Sequence, residues 1–187
     1  MLHDSKKNYG SISIFLHWLS AVLIFGLFGL GLYMTSLGYY DAWYHKGPWW
    51  HVSFGLVLFA LTLVRLIWRL RSQTPQHLRR DRISNSAATL VKWLLYITLL
   101  AVMVSGYLIN TSQGQPASFF DWFGIPSIGS FTADTVDLLG EIHFWGAWLI
   151  IGLVVLHVGG ALLHHFVWRD RTLVRMLKPT TDDALNK

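Results

Sequence analysis

The sequence contains no cysteine, and only 13% of its 187 residues are charged. Without thiols the chain can form no disulfide, no zinc finger, no Cys-ligated cluster and no C-x-x-C-H cofactor attachment. Any metal must therefore be held by other side chains. Scarce charge together with 53% hydrophobic residues and a mean hydropathy of +0.41 excludes an ordinary soluble domain and points to a small integral membrane protein. The net charge of +5 does not imply nucleic acid, because the basic residues flank apolar runs and have no recognition-helix or aromatic-interleaved context.

What is present is long apolar runs. Four stretches have the roughly 20 residues that spanning requires: about Ile14 to Ser36, Trp49 to Trp68, Ala87 to Ile109 and Glu141 to Trp168. In hydrocarbon the backbone must satisfy itself, so each is expected to be a helix, and nothing alternates as a barrel strand would. The fold class expected is all-α, an integral membrane four-helix bundle forming a single domain over 1–187. Lys6 and Lys7 before the first run resemble a signal peptide. The run is too long for one and no small-residue cleavage site follows, so it is read as a retained span.

With both termini on one side, that side collects Lys6, Lys7, Arg65, Arg69, Arg71, Arg79, Arg80, Arg82, Lys92, Arg169, Arg171, Arg175, Lys178 and Lys187, and the opposite loops keep only Lys46. The positive-inside rule then places both termini in the cytoplasm. The outer loop from Asn110 to Gly140 lacks Lys and Arg, and its "FFDWFGIP" is expected to lie as an interfacial lid on the outer leaflet. Trp49, Trp50, Trp145, Trp148 and Trp168 read as interface anchors, with no redox role needed to explain them.

Histidines inside the runs are costly and are functional candidates by default. His17 falls near the cytoplasmic end of the first span and His51 near the outer end of the second, where Pro48 suits a helix start. His143 and His157 lie on the fourth span, two heptads apart and so on one face, separated by about 21 Å at the helical rise. That face can offer His143 to His51 in one leaflet and His157 to His17 in the other. A lone intramembrane histidine is usually an interhelical hydrogen-bond partner; four at matched depths favour paired ligands. Zinc and copper would want more ligands or sulfur. Haem supplies its own four nitrogens, and two axial histidines favour electron transfer over oxygen activation. Gly55, Gly146, Gly159 and Gly160 near these positions would remove bulk beside a macrocycle, although small residues also serve helix packing in lipid.

His164 lies on the face of His157 at the cytoplasmic interface, competes with it for His17, and could hydrogen-bond a quinone or a propionate. Arg65 and Arg69 share a face at i, i+4 and could pair with haem propionates or simply snorkel to the headgroups. Ser13, one turn before His17, is either a quinone hydrogen-bond donor or a helix cap.

At these residues the sequence resembles the bacterial cytochrome b561 family, related to the cytochrome b subunits of nickel hydrogenases. The carriers are "SIFLHWL" around His17, "WWHVSFG" around His51, "LVRLIWRLR", "EIHFWG" around His143 and "LHVGGALLHHFVWRDRTLVRM" around His157, spread over Tyr9 to Lys178. The resemblance implies two b-type haems, with His17 and His157 as the inner pair and His51 and His143 as the outer pair, and electron exchange with the quinone pool. Bacterial members similar to this chain are described as superoxide oxidases that reduce ubiquinone. Two other readings of the chain are a haem-binding membrane anchor for a periplasmic dehydrogenase or hydrogenase and, without haem, a His-lined divalent-metal carrier. The outer loops present an anionic donor with only Lys46 and His45, against Asp121, Asp134, Asp137 and Glu141.

Overall fold

The computed structural model describes residues 1–76, 78 and 81–179. Arg79, Arg80 and Lys187, three of the cations used above to orient the chain, lie outside the described residues. In chain order the elements are α1 (Ser11–Thr35), α2 (Lys46–Arg71), α3 (Arg82–Asn110), β1 (Ala117–Phe119), β2 (Phe123–Ile125), α4 (Ala133–Leu162), a π-helical turn (Leu163–Val167) and α5 (Val174–Leu177). α1, α2, α3 and Ala133–Val167 are long and apolar enough to cross a membrane.

At most of their ends the helices run past the apolar stretches that announce them, because hydropathy marks hydrocarbon and hydrogen bonds mark helix ends; α1 and the fourth span stop one residue short, at Thr35 and Val167. α2 starts at Lys46 and takes Pro48 into its first turn, where a missing N–H costs nothing. α3 is capped by Asp81, whose Oδ1 accepts the Ile83 N–H at 3.1 Å. α4 begins at Ala133, well before Glu141, behind Thr132, whose hydroxyl accepts the Thr135 N–H at 3.4 Å, and with Asp134 in its first turn.

Burial is distributed as lipid, rather than water, would have it. Among the most buried side chains are Ser20, Ser53, Thr62 and Ser105, each under 2% or at 2% exposure, while Phe15, Val22, Phe25, Ile97 and Val155 are more than half exposed. In water so much contiguous apolar surface would drive aggregation. In hydrocarbon there is no apolar driving force between helices, and small residues that allow close approach occupy the interfaces instead.

The chain groups into two compact units. The first comprises Met1–Leu19, Thr62–Tyr96 and Ile151–Lys187. In it the residues before α1 fold back as a hook: Met1 and Leu2 carbonyls accept the Ser11 and Ile12 N–H groups, and Asp4 accepts Gly10 N–H and Ser13 O–H, both at 2.8 Å. A Cβ on Gly10 would meet the His3 backbone at 2.6 Å, so only glycine closes the hook. The chain's own carbonyls thereby satisfy helix donors that would otherwise be unpaired.

The second unit comprises Ser20–Leu61 and Ile97–Ile150. It contains the segment expected as an interfacial lid, which folds as an antiparallel hairpin pairing Ala117 with Ile125, Ser118 with Gly124 and Phe119 with Phe123. Its turn puts Phe120 at φ 50° and Asp121 at φ 59°, a conformation usually left to Asn-Gly. The left-handed Phe120 is held from several sides: its N–H reaches Ser53 Oγ at 3.1 Å, and its ring packs on Trp49, Trp50 and Phe54. Trp49 Nε1 fastens the next residue by donating to Asp121 Oδ2 at 2.8 Å. Since each aromatic pair is worth about 0.5–1.5 kcal/mol beyond area, Phe120→Ala is expected to destabilise this hairpin by about 1–3 kcal/mol. Limited proteolysis within 113–131 should be correspondingly faster, with cleavage elsewhere unchanged.

Candidate functional site

Each unit contains one facing pair of histidines. In the first, α1 carries His17 and α4 carries His157, with ring centroids 6.1 Å apart and planes at 54°. In the second, α2 carries His51 and α4 carries His143, with centroids 6.0 Å apart and planes at 67°. Two imidazoles on opposite sides of one metal ion, with bonds of about 2 Å and a ring radius of roughly 1 Å, have centroids roughly 6 Å apart. Direct hydrogen bonding or stacking between the rings would not need that separation in both places.

The donor set does not suit a bare ion. Among the described residues no three His, Asp or Glu side chains converge, whereas zinc and its relatives take more protein ligands than a pair. A group that brings its own equatorial nitrogens requires only two axial ligands, and the pairs fit that requirement. Small residues leave room beside the rings: a Cβ on Gly55, Gly159 or Gly160 would meet nothing within 4 Å. Gly146 behaves otherwise, since its Cβ would strike Val102 Cγ2 at 2.6 Å; it is a helix-packing glycine and not part of a cradle. Two glycines that sequence spacing did not single out lie directly on ligand candidates. A Cβ on Gly31 would come within 3.4 Å of His51 Cε1, and one on Gly106 within 2.7 Å of His143 Cε1.

Second partners fix the rings, and differently in the two units. His143 Nδ1 bonds the Val102 carbonyl at 2.8 Å; a carbonyl only accepts, so Nδ1 is the donor and Nε2 keeps its lone pair, the form a metal ligand needs. His17 Nδ1 lies 2.8 Å from Arg65 Nη2. A guanidinium only donates, which puts the His17 proton on Nε2. Ligation by that nitrogen therefore requires Arg65 to release Nδ1. His51 Nδ1 is buried and finds no hydrogen-bond partner among the described residues.

Arg65 also lies over the Tyr96 ring at 5.6 Å. Arg69 lies over Tyr9 at 5.7 Å, and its Nη1 is buried with no hydrogen-bond partner among the described residues, a donor suited to a carboxylate. Ser13 is already engaged: its hydroxyl donates to Asp4 and accepts Trp68 Nε1 at 2.9 Å. His164 is set apart from His17. It sits in the π-helical turn with Nδ1 2.5 Å from Asp170 Oδ2, Nε2 3.4 Å from Ser84 Oγ, and its ring edge-on to Trp168. Burial alone would raise the Asp170 pKa, but hydrogen bonds from the Thr172 hydroxyl, His164 and the Thr172 N–H outweigh it and hold the carboxyl below its ordinary value. An ionised Asp170 thus orients His164 with Nε2 toward Ser84. Sequence reading passed over Asp170 and Ser84. "HHFVWRD" contained the signal for the first, a carboxylate six residues from an imidazole; Ser84 is distant in sequence and left none.

The family model for prokaryotic cytochrome b561 matches residues 8–179. The chain belongs to that family. It is 41% identical over 181 residues, 96% of each chain, to cytochrome b561 homolog 2 of Escherichia coli K12. It is 28% identical over 175 residues to a Yersinia pestis protein named probable superoxide oxidase CybB, covering 91% of this chain and 96% of that one. A third relative is cytochrome b562 of Cereibacter sphaeroides, 29% identical over 180 residues. Membership makes this cytochrome b561-family chain a multi-pass helical-bundle protein of a bacterial membrane that works in electron transfer with b-type haem.

Proposed function

We propose that the chain holds two b-type haems, one between His17 and His157 and one between His51 and His143, and carries single electrons across the inner membrane from a periplasmic donor such as superoxide to ubiquinone. The observation that carries this reading is the repeated 6.1 and 6.0 Å spacing of paired imidazoles. Held between two of these histidines, a haem would supply electron exchange with no open site for oxygen. The chain contributes ligands, spacing and a dry medium. Both termini lie in the cytoplasm, a placement supported by the cations gathered on their side of the spans.

With superoxide as donor, two superoxide ions, one ubiquinone and two protons give two dioxygen molecules and one ubiquinol. Arg69, with its unpartnered Nη1, and Arg65, once it leaves His17, are the candidates to pair with propionates. His164, whose Nδ1–H is held by Asp170, is the candidate to hydrogen-bond the quinone head through Nε2. Ser13 could take that role only by giving up its bond to Asp4.

A second reading, in which the chain anchors a periplasmic redox protein and has no substrate of its own, is favoured by one observation. The loops and helix starts on the side opposite the termini carry Asp41, Asp121, Asp134, Asp137 and Glu141 against Lys46 alone, a field that repels superoxide and attracts a basic protein. Purified chain in detergent should reduce ubiquinone when superoxide is generated enzymatically. Because like charges face the donor, the rate should rise as salt increases from about 10 to 150 mM, where the Debye length falls from about 30 to 8 Å. Inert purified chain would select the anchor reading.

A further inference from the structure

We propose that the cavity between the N-terminal hook and the end of α2, in the first unit, binds an anionic phospholipid of the leaflet at that end of the spans. The cavity has a volume of about 560 Å³, within the range of small-ligand sites. The hook makes one wall and is firmly built, as described above. Gln76 N–H adds a further tie by donating to the Lys6 carbonyl at 2.9 Å. Trp68 lies in the lining with its indole N–H spent on Ser13, and His3 stacks against its ring at 5.5 Å and 26°.

The α2 wall is ordered like a lipid. Val64, Ile67 and Arg71 line the cavity and are spaced i, i+3, i+7, so they share one face of the helix. Val64 is 54% and Ile67 49% exposed, an apolar strip for an acyl chain that leads in two turns to a guanidinium. Among the described residues the Arg71 guanidinium makes no side-chain hydrogen bond or ion pair. The acidic residue of the lining is Asp4, whose oxygens accept Gly10 N–H and Ser13 O–H and whose negative charge counts against the arginine's. The C-terminal carbonyls of α2 bring about half a negative charge to this end. The three positive charges of Arg71 and of Lys6 and Lys7 on the hook outweigh both. Basic pockets beside transmembrane helices at the headgroup level select anionic headgroups in this way.

The apolar strip separates a lipid from free phosphate, and the guanidinium separates it from a neutral quinone. The test titrates haem-loaded protein in mild detergent with dioleoyl-phosphatidylglycerol, dioleoyl-phosphatidylcholine, sodium phosphate and decylubiquinone, reading bound lipid by native mass spectrometry. Phosphatidylglycerol should bind about five-fold or more tightly than phosphatidylcholine, the effect of one basic side chain near a membrane surface. Arg71→Gln should abolish most of that preference. Ile67→Trp, which fills the cavity without changing charge, should weaken both lipids, and an unchanged haem spectrum certifies the fold of either variant. Equal binding of the two lipids, a preference that survives both substitutions, displacement by phosphate alone at equal concentration, or displacement by decylubiquinone would each overturn the proposal.

Discussion

Gly106→Val is expected to cost the protein one of the two haems proposed above and leave the other in place. A Cβ at position 106 falls 2.7 Å from His143 Cε1 and 3.0 Å from Nδ1, closer than side-chain atoms approach, so the ring must turn. Turning it breaks the 2.8 Å bond to the Val102 carbonyl, which selects the ligating tautomer and holds the plane. Loss of such an outer hydrogen bond alone typically costs a metal site 10–100-fold in affinity, and the displaced ring adds to that. The reduced-minus-oxidised spectrum should fall to about half, and the remaining half should match His143→Ala in band position and potential. A variant with both haems and unchanged potentials would mean that His143 is not held as described.

Arg65→Met is expected to keep both haems and to lower the midpoint potential of one. The guanidinium touches His17 through Nδ1 at 2.8 Å, and the 6.1 Å ring spacing places His157 across from it. A fixed cation disfavours the more positive, oxidised state of a nearby iron, so removing it favours oxidation. One charge at roughly 8 Å in an effective dielectric of about 20 is about 2 kcal/mol, on the order of 90 mV for a one-electron couple. Methionine keeps much of the stem volume and frees His17 Nδ1 from a partner that opposes ligation. Redox titration should therefore show one couple shifted down by about 50–100 mV and the other unmoved. Arg65→Lys should restore most of the potential, which a purely packing role for Arg65 would not do. Two unmoved couples would contradict the placement of Arg65 beside a cofactor.

The spans were legible because hydrocarbon thickness imposes a length that hydropathy registers directly, and the histidine pairing was legible because heptad spacing sets which face of α4 carries His143 and His157. Helix ends were not. Lys46 to Pro48 and Ala133 to Gly140 are helical yet too polar or too broken in hydropathy to be counted as span. The hairpin gave no warning either, since its turn is Phe-Asp, both residues at positive φ, where a pattern search looks for Asn-Gly. Its conformation is fixed by Ser53, Trp49 and the surrounding rings, partners far away in sequence. Gly31 and Gly106 belong to the same class: what makes them matter is the rotation of a neighbouring helix, and no local pattern records that. Arg65 was read as a propionate partner or a snorkelling cation, and the structure adds a third arrangement, donation to His17, that spacing could not reveal.

The most direct test is the haem-to-protein ratio, measured with the reduced-minus-oxidised spectrum, for wild type and for His17→Ala, His51→Ala, His143→Ala, His157→Ala and His164→Ala. Wild type should carry two haems and each of the first four variants one, His17→Ala matching His157→Ala and His51→Ala matching His143→Ala in the couple that is lost, with both retained in His164→Ala. A colourless or single-haem wild type, or loss of a haem in His164→Ala with both kept in His157→Ala, would contradict that pairing.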